Sequence, residues 1–198
     1  MAGASRPAGP PSTISGTFGH TADRETRMTA DFMADGTDIP AGWTPFDLDF
    51  GFARSFGQIS FRETGDQRLE LGFRCAERHL NPLGMCHGGA IAAFADYAAL
   101  GAQYAVGLSR IVTPTVTLSV DFLQGILPGQ WVAARVDIIR QTRKMCFTQM
   151  VARVGDEPVM SSRGIFKISS RAEHIAHPFY VRCAELWPSR VLIDAEDG

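Results

Sequence analysis

Residues 87–107 read HGGAIAAFADYAALGAQYAVG, and this stretch decides the fold. Its alanine content favours a helix, and Gly107 is suited to end it. The side chains are apolar around the whole circumference apart from Asp96, Gln103 and two tyrosine hydroxyls. Such a helix must be enclosed by other elements or span a membrane. A central carboxylate and alanine in place of leucine favour an enclosed helix.

Alternating apolar and polar residues on both sides of this helix predict β-strands. Before it, Leu69, Leu71, Phe73 and Cys75 alternate with more polar positions, and a shorter strand begins at Ile59. A period of two is typical of a half-buried strand. Four further strand patterns follow the helix, at 111–123, 131–140, 145–154 and 158–168. We therefore predict an α+β fold in which an antiparallel sheet curls around a long central helix, with alanine and glycine allowing a close approach.

Composition excludes several classes of protein. The chain has 198 residues, 45% hydrophobic and 20% charged, with a net charge of −2. This is a globular composition without the positive field that would attract nucleic acid or an anionic membrane. The four cysteines lack zinc-type spacing, and the first twenty residues lack the apolar stretch of a secretory signal. We predict reduced thiols and a cytoplasmic protein.

The pattern also divides the chain into parts. Residues 1–27 are rich in Gly, Pro, Ser and Thr and are predicted to be a disordered extension. Residues 28–57 contain several aromatic side chains and are predicted to pack on the domain, which spans 58–168. Residues 169–198 form a C-terminal extension, and the role of both ends is left open.

Asp96 is the most informative residue of the helix. Burying an ionised carboxylate without partners is very costly, so such a group is paired, functional or in fact exposed. A catalytic role is one interpretation, because perturbed carboxylates in clefts mark active sites. A solvent-filled seam or a structural hydrogen-bonding role is the alternative.

The start of the helix offers a second candidate feature. The backbone N–H groups of Gly88 and Gly89 have no acceptor within the helix and lie at its positive end, where an oxyanion is stabilised. The alternative is that the glycines merely permit a tight turn. Asp96 lies eight residues after Gly88, which is about 12 Å along a helix. A site that uses both residues therefore indicates two chains.

The run HLNPLGMCHGGAIAAFAD, residues 79–96, resembles the N-x-x-G-x-x-H-G-G-x-x-x-x-x-x-D signature of the hotdog thioesterases. The strand PTVTLSVDFL, residues 114–123, is similar to the next strand of the phenylacetate-pathway branch of the 4-hydroxybenzoyl-CoA thioesterase superfamily. The resemblance covers about 58–168. It implies a hotdog fold and hydrolysis of an acyl-CoA-type thioester, with no cofactor and no metal.

The resemblance also implies roles for matching positions. Asp96 would activate water or attack the thioester carbonyl, while Gly88, and Gly89 as a further candidate, would supply the oxyanion N–H. The carboxylate and this donor would come from opposite subunits, which agrees with the distance along the helix. A homodimer is therefore the minimum assembly expected, and a homotetramer is a further possibility.

Three polar residues complete the predicted site. Asn81 and His87 match positions that shape the site and orient the thioester or water, and Thr115 matches a polar position that helps to hold the water. Each also has a structural interpretation: Asn81 as a turn residue, His87 as a helix cap and Thr115 as a strand former.

A basic cluster at residues 140–144 contains Arg143 and Lys144 and falls in a predicted hairpin. Such side chains bind phosphate groups well, so they are candidates for contacts to CoA. A solvated turn is the alternative interpretation.

Other functional classes fit the sequence less well. No G-x-S-x-G motif of a serine hydrolase occurs, and His79, His87 and Asp96 lack the spacing of a metal hydrolase. Hydratases that share the hotdog fold have Asp and His where this chain has His79 and Gly84. The remaining alternative is a hotdog protein that binds or scaffolds acyl thioesters without turnover. The acyl group, the choice between CoA and acyl carrier protein, and the role of Asp96 as base or nucleophile stay open.

Overall fold

The computed structural model describes residues 38–47, 49–65, 68–107, 111–170 and 177–190. Its helices are α1 (Gly51–Phe56), α2 (Gly88–Asp96), α3 (Ala98–Val106) and α4 (Pro178–Leu186). Its strands are β1 (Thr44–Phe46), β2 (Ile59–Thr64), β3 (Arg68–Arg74), β4 (Ile111–Val112), β5 (Thr115–Phe122), β6 (Trp131–Gln141), β7 (Met145–Val154), β8 (Glu157–Lys167) and β9 (Ser169–Ser170). The predicted disordered extension, 1–27, lies outside the described residues.

Seven strands form one antiparallel sheet in the order β1-β2-β3-β6-β7-β8-β5, and β4 pairs with β9 in a separate ladder. The predicted strand at 111–123 is interrupted at Thr113 and Pro114, so that β4 and β5 belong to different sheets. Proline has no N–H for a sheet ladder, which accounts for the break. Strand β1 is an addition that the sequence pattern did not predict. The α+β class with an antiparallel sheet is confirmed.

The central helix packs closely against the sheet. Helices α2 and α3 meet at Tyr97, whose φ of −65° and ψ of −5° stay in the helical region, so the path of the helix is continuous over 88–106. A side chain at Gly101 would place its Cβ only 2.5 Å from Cβ of Val136 on β6. Glycine is therefore what lets the sheet approach the helix here, as the composition predicts.

The helix is nevertheless open along one side. Phe94 and Ala95 are fully buried, whereas Asp96 is exposed and Ala93 and Ala99 are half-buried. The sequence left open whether Asp96 is exposed, and in the single chain it is. The sheet covers the helix face that carries Phe94, and the uncovered side carries the carboxylate.

Segments from both ends of the domain complete the core. Phe46 of β1 and Trp187, which follows α4, are 1% exposed and stack with ring centroids 5.6 Å apart. Phe56 at the end of α1 packs edge-on against Phe73 of β3. Strand β1, helix α1 and the segment 178–187 thus contribute to the same core as the rest of the sheet.

The four cysteines, Cys75, Cys86, Cys146 and Cys183, are buried and free, as predicted for reduced thiols. The pKa of Cys75 is lowered to about 6, mainly because the Cys86 thiol donates a hydrogen bond to it, with His79 adding to the effect. Burial raises the pKa of Cys146 to about 11 and that of Cys183 to about 12. No helix among the described residues is both long and apolar enough to cross a membrane.

Candidate active site

The structure brings Asp96 and Thr115 together. Asp96 is the last residue of α2, and Thr115 is the first residue of β5. The Thr115 hydroxyl donates a hydrogen bond of 2.7 Å to Oδ1 of Asp96. The carboxylate is also exposed in the single chain. Of the three interpretations that the sequence left open for Asp96 (paired, functional or exposed), the structure therefore shows two, a hydrogen-bonding partner and exposure.

Tyr97 adjoins this pair and also faces the open side of the helix. Burial, with a smaller contribution from the negative charge of Asp96, raises the pKa of Tyr97 to about 12. Its phenol is therefore protonated throughout the physiological range and is available as a hydrogen-bond donor beside the carboxylate.

At the other end of α2, His87 is the N-cap residue. Its Nδ1 accepts a hydrogen bond of 2.8 Å from the Gly89 N–H, which occupies one of the two predicted oxyanion donors. The accepting Nδ1 requires the proton of a neutral ring to be on Nε2. Among the described residues, no acceptor is paired with the Gly88 N–H. Gly88 also borders Phe122 at the end of β5. A Cβ atom added to Gly88 would lie 3.6 Å from the Phe122 ring.

Asn81 organises the loop that leads into this helix. Its Oδ1 accepts hydrogen bonds from the backbone N–H groups of Leu83 at 2.9 Å and Met85 at 3.3 Å. Its own N–H donates to the carbonyl of Met85, which closes the loop. These contacts are those of a loop-shaping residue, and a part in orienting the thioester stays a prediction.

His79 is buried, and both of its ring nitrogens have partners. Nδ1 accepts from the N–H of Ala76 at 2.9 Å, and Nε2 lies 2.7 Å from the carbonyl oxygen of Phe56. The ring therefore ties the loop before α2 to the end of α1. Within the described ranges, no cluster of three or more His, Cys, Asp or Glu residues is arranged to hold a metal ion.

A cavity of about 600 Å³ opens beside Asp96. Three segments line it: the start of α1 from Phe50 to Ala53, the open side of the central helix, and the start of α4 with His177, Phe179 and Tyr180. Sequence reasoning did not find this cavity, because two of its walls come from the terminal segments. The aromatic residues clustered in those segments were the available signal.

The basic hairpin lies at the same end of the sheet as Thr115. Arg143 and Lys144 are exposed between β6 and β7. Thr115 is paired with Phe166 of β8, which is in turn paired with Cys146 of β7. Strand β8 lies between β7 and β5, so two strand spacings of about 4.8 Å put roughly 10 Å across the sheet between the end of β7 at the hairpin and Thr115.

Comparison with known proteins connects this architecture to a family. Residues 83–161 match the model of the Thioesterase superfamily. This span runs from the loop before α2 into β8 and therefore includes Gly88, Asp96 and Thr115. No curated protein matches the chain.

Several solved structures share the fold. One is a thioesterase from Haemophilus influenzae, with 19% identity and a TM-score of 0.56 over 65% of this chain and 95% of that one. A hypothetical thioesterase from Streptococcus pneumoniae, solved with coenzyme A, has 14% identity and a TM-score of 0.52 over 57% and 87% of the two chains. A Streptococcus mutans protein bound to acetyl CoA has 12% identity and a TM-score of 0.53 over 64% and 94%. The predicted hotdog fold is confirmed, and the family match supports the thioesterase superfamily.

Proposed function

We propose that this protein is an acyl-CoA-type thioesterase, a hydrolase that converts an acyl thioester into a free acid and a thiol. The observation that carries the proposal is the position of Asp96, which lines an apolar cavity and accepts a hydrogen bond from the Thr115 hydroxyl. A carboxylate in such a position serves as a general base or a nucleophile in acyl transfer.

In the general-base form of the reaction, Asp96 takes a proton from water as the water oxygen bonds to the thioester carbonyl carbon. Thr115 engages Oδ1 and leaves Oδ2 for the water. The carbon–sulfur bond of the tetrahedral intermediate then breaks, and the proton passes to the departing thiolate. In the nucleophilic form, a carboxylate oxygen bonds to the thioester carbonyl carbon, the carbon–sulfur bond breaks and the thiolate leaves. Water then hydrolyses the mixed anhydride, which releases the acid and restores the Asp96 carboxylate.

The negative charge that develops on the thioester oxygen needs a donor, and the Gly88 N–H is the proposed one. It lies at the positive end of α2 and has no acceptor among the described residues, whereas the Gly89 N–H is bound to His87. About 12 Å of helix separates Gly88 from Asp96 of the same chain. A complete site on this proposal combines Asp96 of one subunit with Gly88 of another.

Strand β5 provides the surface for such a homodimer. It is an edge strand, and its Val116 and Phe122 are 53% and 56% exposed. Antiparallel pairing of β5 with its copy about a two-fold axis places the start of one strand opposite the end of the other. Asp96 contacts the start at Thr115, and Gly88 borders the end at Phe122. The pairing therefore brings each Asp96 towards the partner's Gly88.

The thiol portion of the substrate is proposed to be coenzyme A. Arg143 and Lys144 are exposed at the same end of the sheet as Thr115, and cationic side chains of this kind bind phosphate groups. The neighbours from the two streptococci, solved with coenzyme A or acetyl CoA, support this choice. The N-x-x-G-x-x-H-G-G-x-x-x-x-x-x-D pattern over 81–96 supports a place near the phenylacetate-pathway branch of the superfamily.

Thiol release from a panel of aryl- and alkyl-acyl-CoAs tests the proposal, with the native protein compared with Asp96→Asn and Asp96→Ala. We expect turnover to fall by about two orders of magnitude or more in both variants, with the assembly unchanged on size-exclusion chromatography. Equal turnover in the three proteins would remove Asp96 from the chemistry. Tight binding of acyl-CoA without turnover of any member would favour a non-catalytic acyl-thioester-binding protein.

A further inference from the structure

The cavity beside Asp96 has walls that the segment shared with the thioesterase superfamily does not contain. That segment covers 83–161, and it supplies the floor, where the central helix contributes Ala93 and Ala99. The two other walls come from Phe50–Ala53 and from His177–Tyr180, which lie before and after the matched span. Two of the three segments that line the cavity therefore lie outside the matched span.

Aromatic contacts hold the two added walls together. Phe50, beside α1, packs edge-on against His177 at 5.2 Å and against Phe179 of α4 at 6.0 Å between ring centroids. His177 is fixed in turn as the N-cap of α4, where its Nδ1 accepts from the Phe179 N–H. The walls are therefore organised before any ligand binds, which lowers the cost of binding.

The floor is what gives the cavity its depth. Ala93 and Ala99 flank Asp96 in sequence by three residues on either side, and both present only a methyl group to the cavity. At about 600 Å³, the space is within the range of pockets that enclose drug-sized ligands. Among the described residues that line it, Asp96 is the one acidic residue. The rest of the lining is mainly aromatic and aliphatic.

We infer that this cavity binds the acyl group of the substrate and selects bulky apolar acyl groups, aryl or long alkyl, over acetyl. The inference rests on the proposed function, because the thioester carbon must sit at Asp96 while its acyl group occupies the adjoining space. An acetyl group would leave most of the cavity filled with water. Each additional methylene that the cavity buries favours the larger substrate by about fourfold in kcat/KM.

The first test compares kcat/KM for acetyl-, phenylacetyl- and decanoyl-CoA in the native protein. We expect the better of the two bulky substrates to exceed acetyl-CoA by at least about 50-fold, as burial of several methylenes or a ring requires. The aryl and alkyl arms then show which bulky group the aromatic walls prefer. Native kcat/KM values within about threefold across the panel would overturn the inference.

Two variants locate the selectivity. Ala99→Phe fills the floor, and Phe52→Ala removes a side chain from the mouth of the cavity that is 69% exposed and so contributes little to folding. Both are expected to lower the bulky-to-acetyl ratio of kcat/KM, Ala99→Phe by about 20-fold or more and Phe52→Ala by about fivefold. The matched control is Ile139→Ala, which removes a side chain 62% exposed on β6 outside the cavity and should leave the ratio unchanged.

Binding separates this inference from the proposed hydrolysis. Calorimetric titration with non-hydrolysable thioether analogues of the same three substrates reports occupancy without turnover. Selective binding of the bulky analogues, weakened by Ala99→Phe, with no hydrolysis would uphold the acyl site and refute the hydrolase. A third outcome is hydrolysis that depends on Asp96 but shows the same acyl preference in the native protein, Ala99→Phe and Phe52→Ala. That outcome would refute the acyl site and leave the proposed hydrolase standing. If the native protein neither binds the analogues nor hydrolyses any of the substrates, both the acyl site and the proposed hydrolase are refuted.

Discussion

The hydroxyl of Thr115 lies 2.7 Å from Oδ1 of Asp96 and joins the start of β5 to the end of α2. The side-chain hydrogen bond to an ionised carboxylate is of the stronger, charge-assisted kind and fixes the direction in which the other oxygen points. Because β5 is also the exposed edge of the sheet, the contact connects the candidate catalytic carboxylate to the surface proposed to pair with a second copy.

This contact gives a prediction for Thr115. Thr115→Val keeps the branched shape of the side chain and removes the donor, so we expect kcat to fall by about 10- to 100-fold through loss of positioning. Thr115→Ser keeps the hydroxyl and should retain most of the activity. Steady-state kinetics on the best acyl-CoA of the panel makes the comparison. A Val variant as active as the Ser variant would show that the hydrogen bond has no part in positioning the carboxylate.

A pair of variants at His87 distinguishes capping from chemistry. His87→Ala removes the acceptor for the Gly89 N–H and should lower the free energy of unfolding by about 1 kcal/mol. His87→Asn restores a capping acceptor and should recover most of that stability. Denaturant unfolding and kinetics are measured for both variants. If His87 acts only as a cap, the Asn variant also recovers the activity; a stable but inactive Asn variant would assign the ring a direct role.

The three tyrosines of the chain predict a loss of stability at high pH. Burial is the main cause that raises the pKa of Tyr97 and of Tyr104 to about 12, and it also raises the pKa of Tyr180. A phenol in the unfolded chain ionises near pH 10. Their contribution to stability is therefore fully present below about pH 10 and is lost as the pH rises towards 12.

The measurement is a spectrophotometric titration of phenolate in native and denatured protein, together with unfolding at several alkaline pH values. The native titration should lie above the denatured one, and Tyr97→Phe should reduce the alkaline loss of stability. Coincident native and denatured titrations would contradict the prediction.

The sequence predicted the order of elements because their periodicities are strong and local. The alternation at 68–75 and 145–154 corresponds to β3 and β7, and Gly107 follows the helix as expected. The family resemblance also put Thr115 in the same predicted site as Asp96, and the structure joins the two by a hydrogen bond. These features depend on residues close in sequence or on a motif at fixed spacing.

Features that depend on tertiary contacts were not predicted. The apolar pattern of 87–107 does not show which side of the helix stays open, because Ala93 and Ala99 look the same in sequence as enclosed alanines. The cavity beside Asp96 requires α1 and α4, which are more than 120 residues apart in the chain, to meet over the helix. The use of the Gly89 N–H by His87 is likewise a matter of a side-chain rotamer, which neither spacing nor composition encodes.

Gly101 provides a test of the packing between helix and sheet. Alanine in a helix interior is favoured over glycine by about 1 kcal/mol. An added Cβ, however, would lie 2.5 to 2.8 Å from the side-chain atoms of Val136. Overpacking of this kind costs about 1–3 kcal/mol and more where the contact is to a branched Cβ on a central strand. We therefore expect Gly101→Ala to lower the free energy of unfolding by about 1–2 kcal/mol despite the gain in helix propensity.

A double-mutant cycle with Val136→Ala assigns the cause. Val136→Ala alone removes buried methyl groups and should cost about 1–3 kcal/mol. In the double variant the two alanines fit where glycine and valine fitted, so its loss should be smaller than the sum of the single losses by about 1 kcal/mol or more. Urea unfolding of the four proteins supplies the free energies. A Gly101→Ala protein at least as stable as the native one, or strictly additive losses, would mean that the helix and sheet have room to separate at this position.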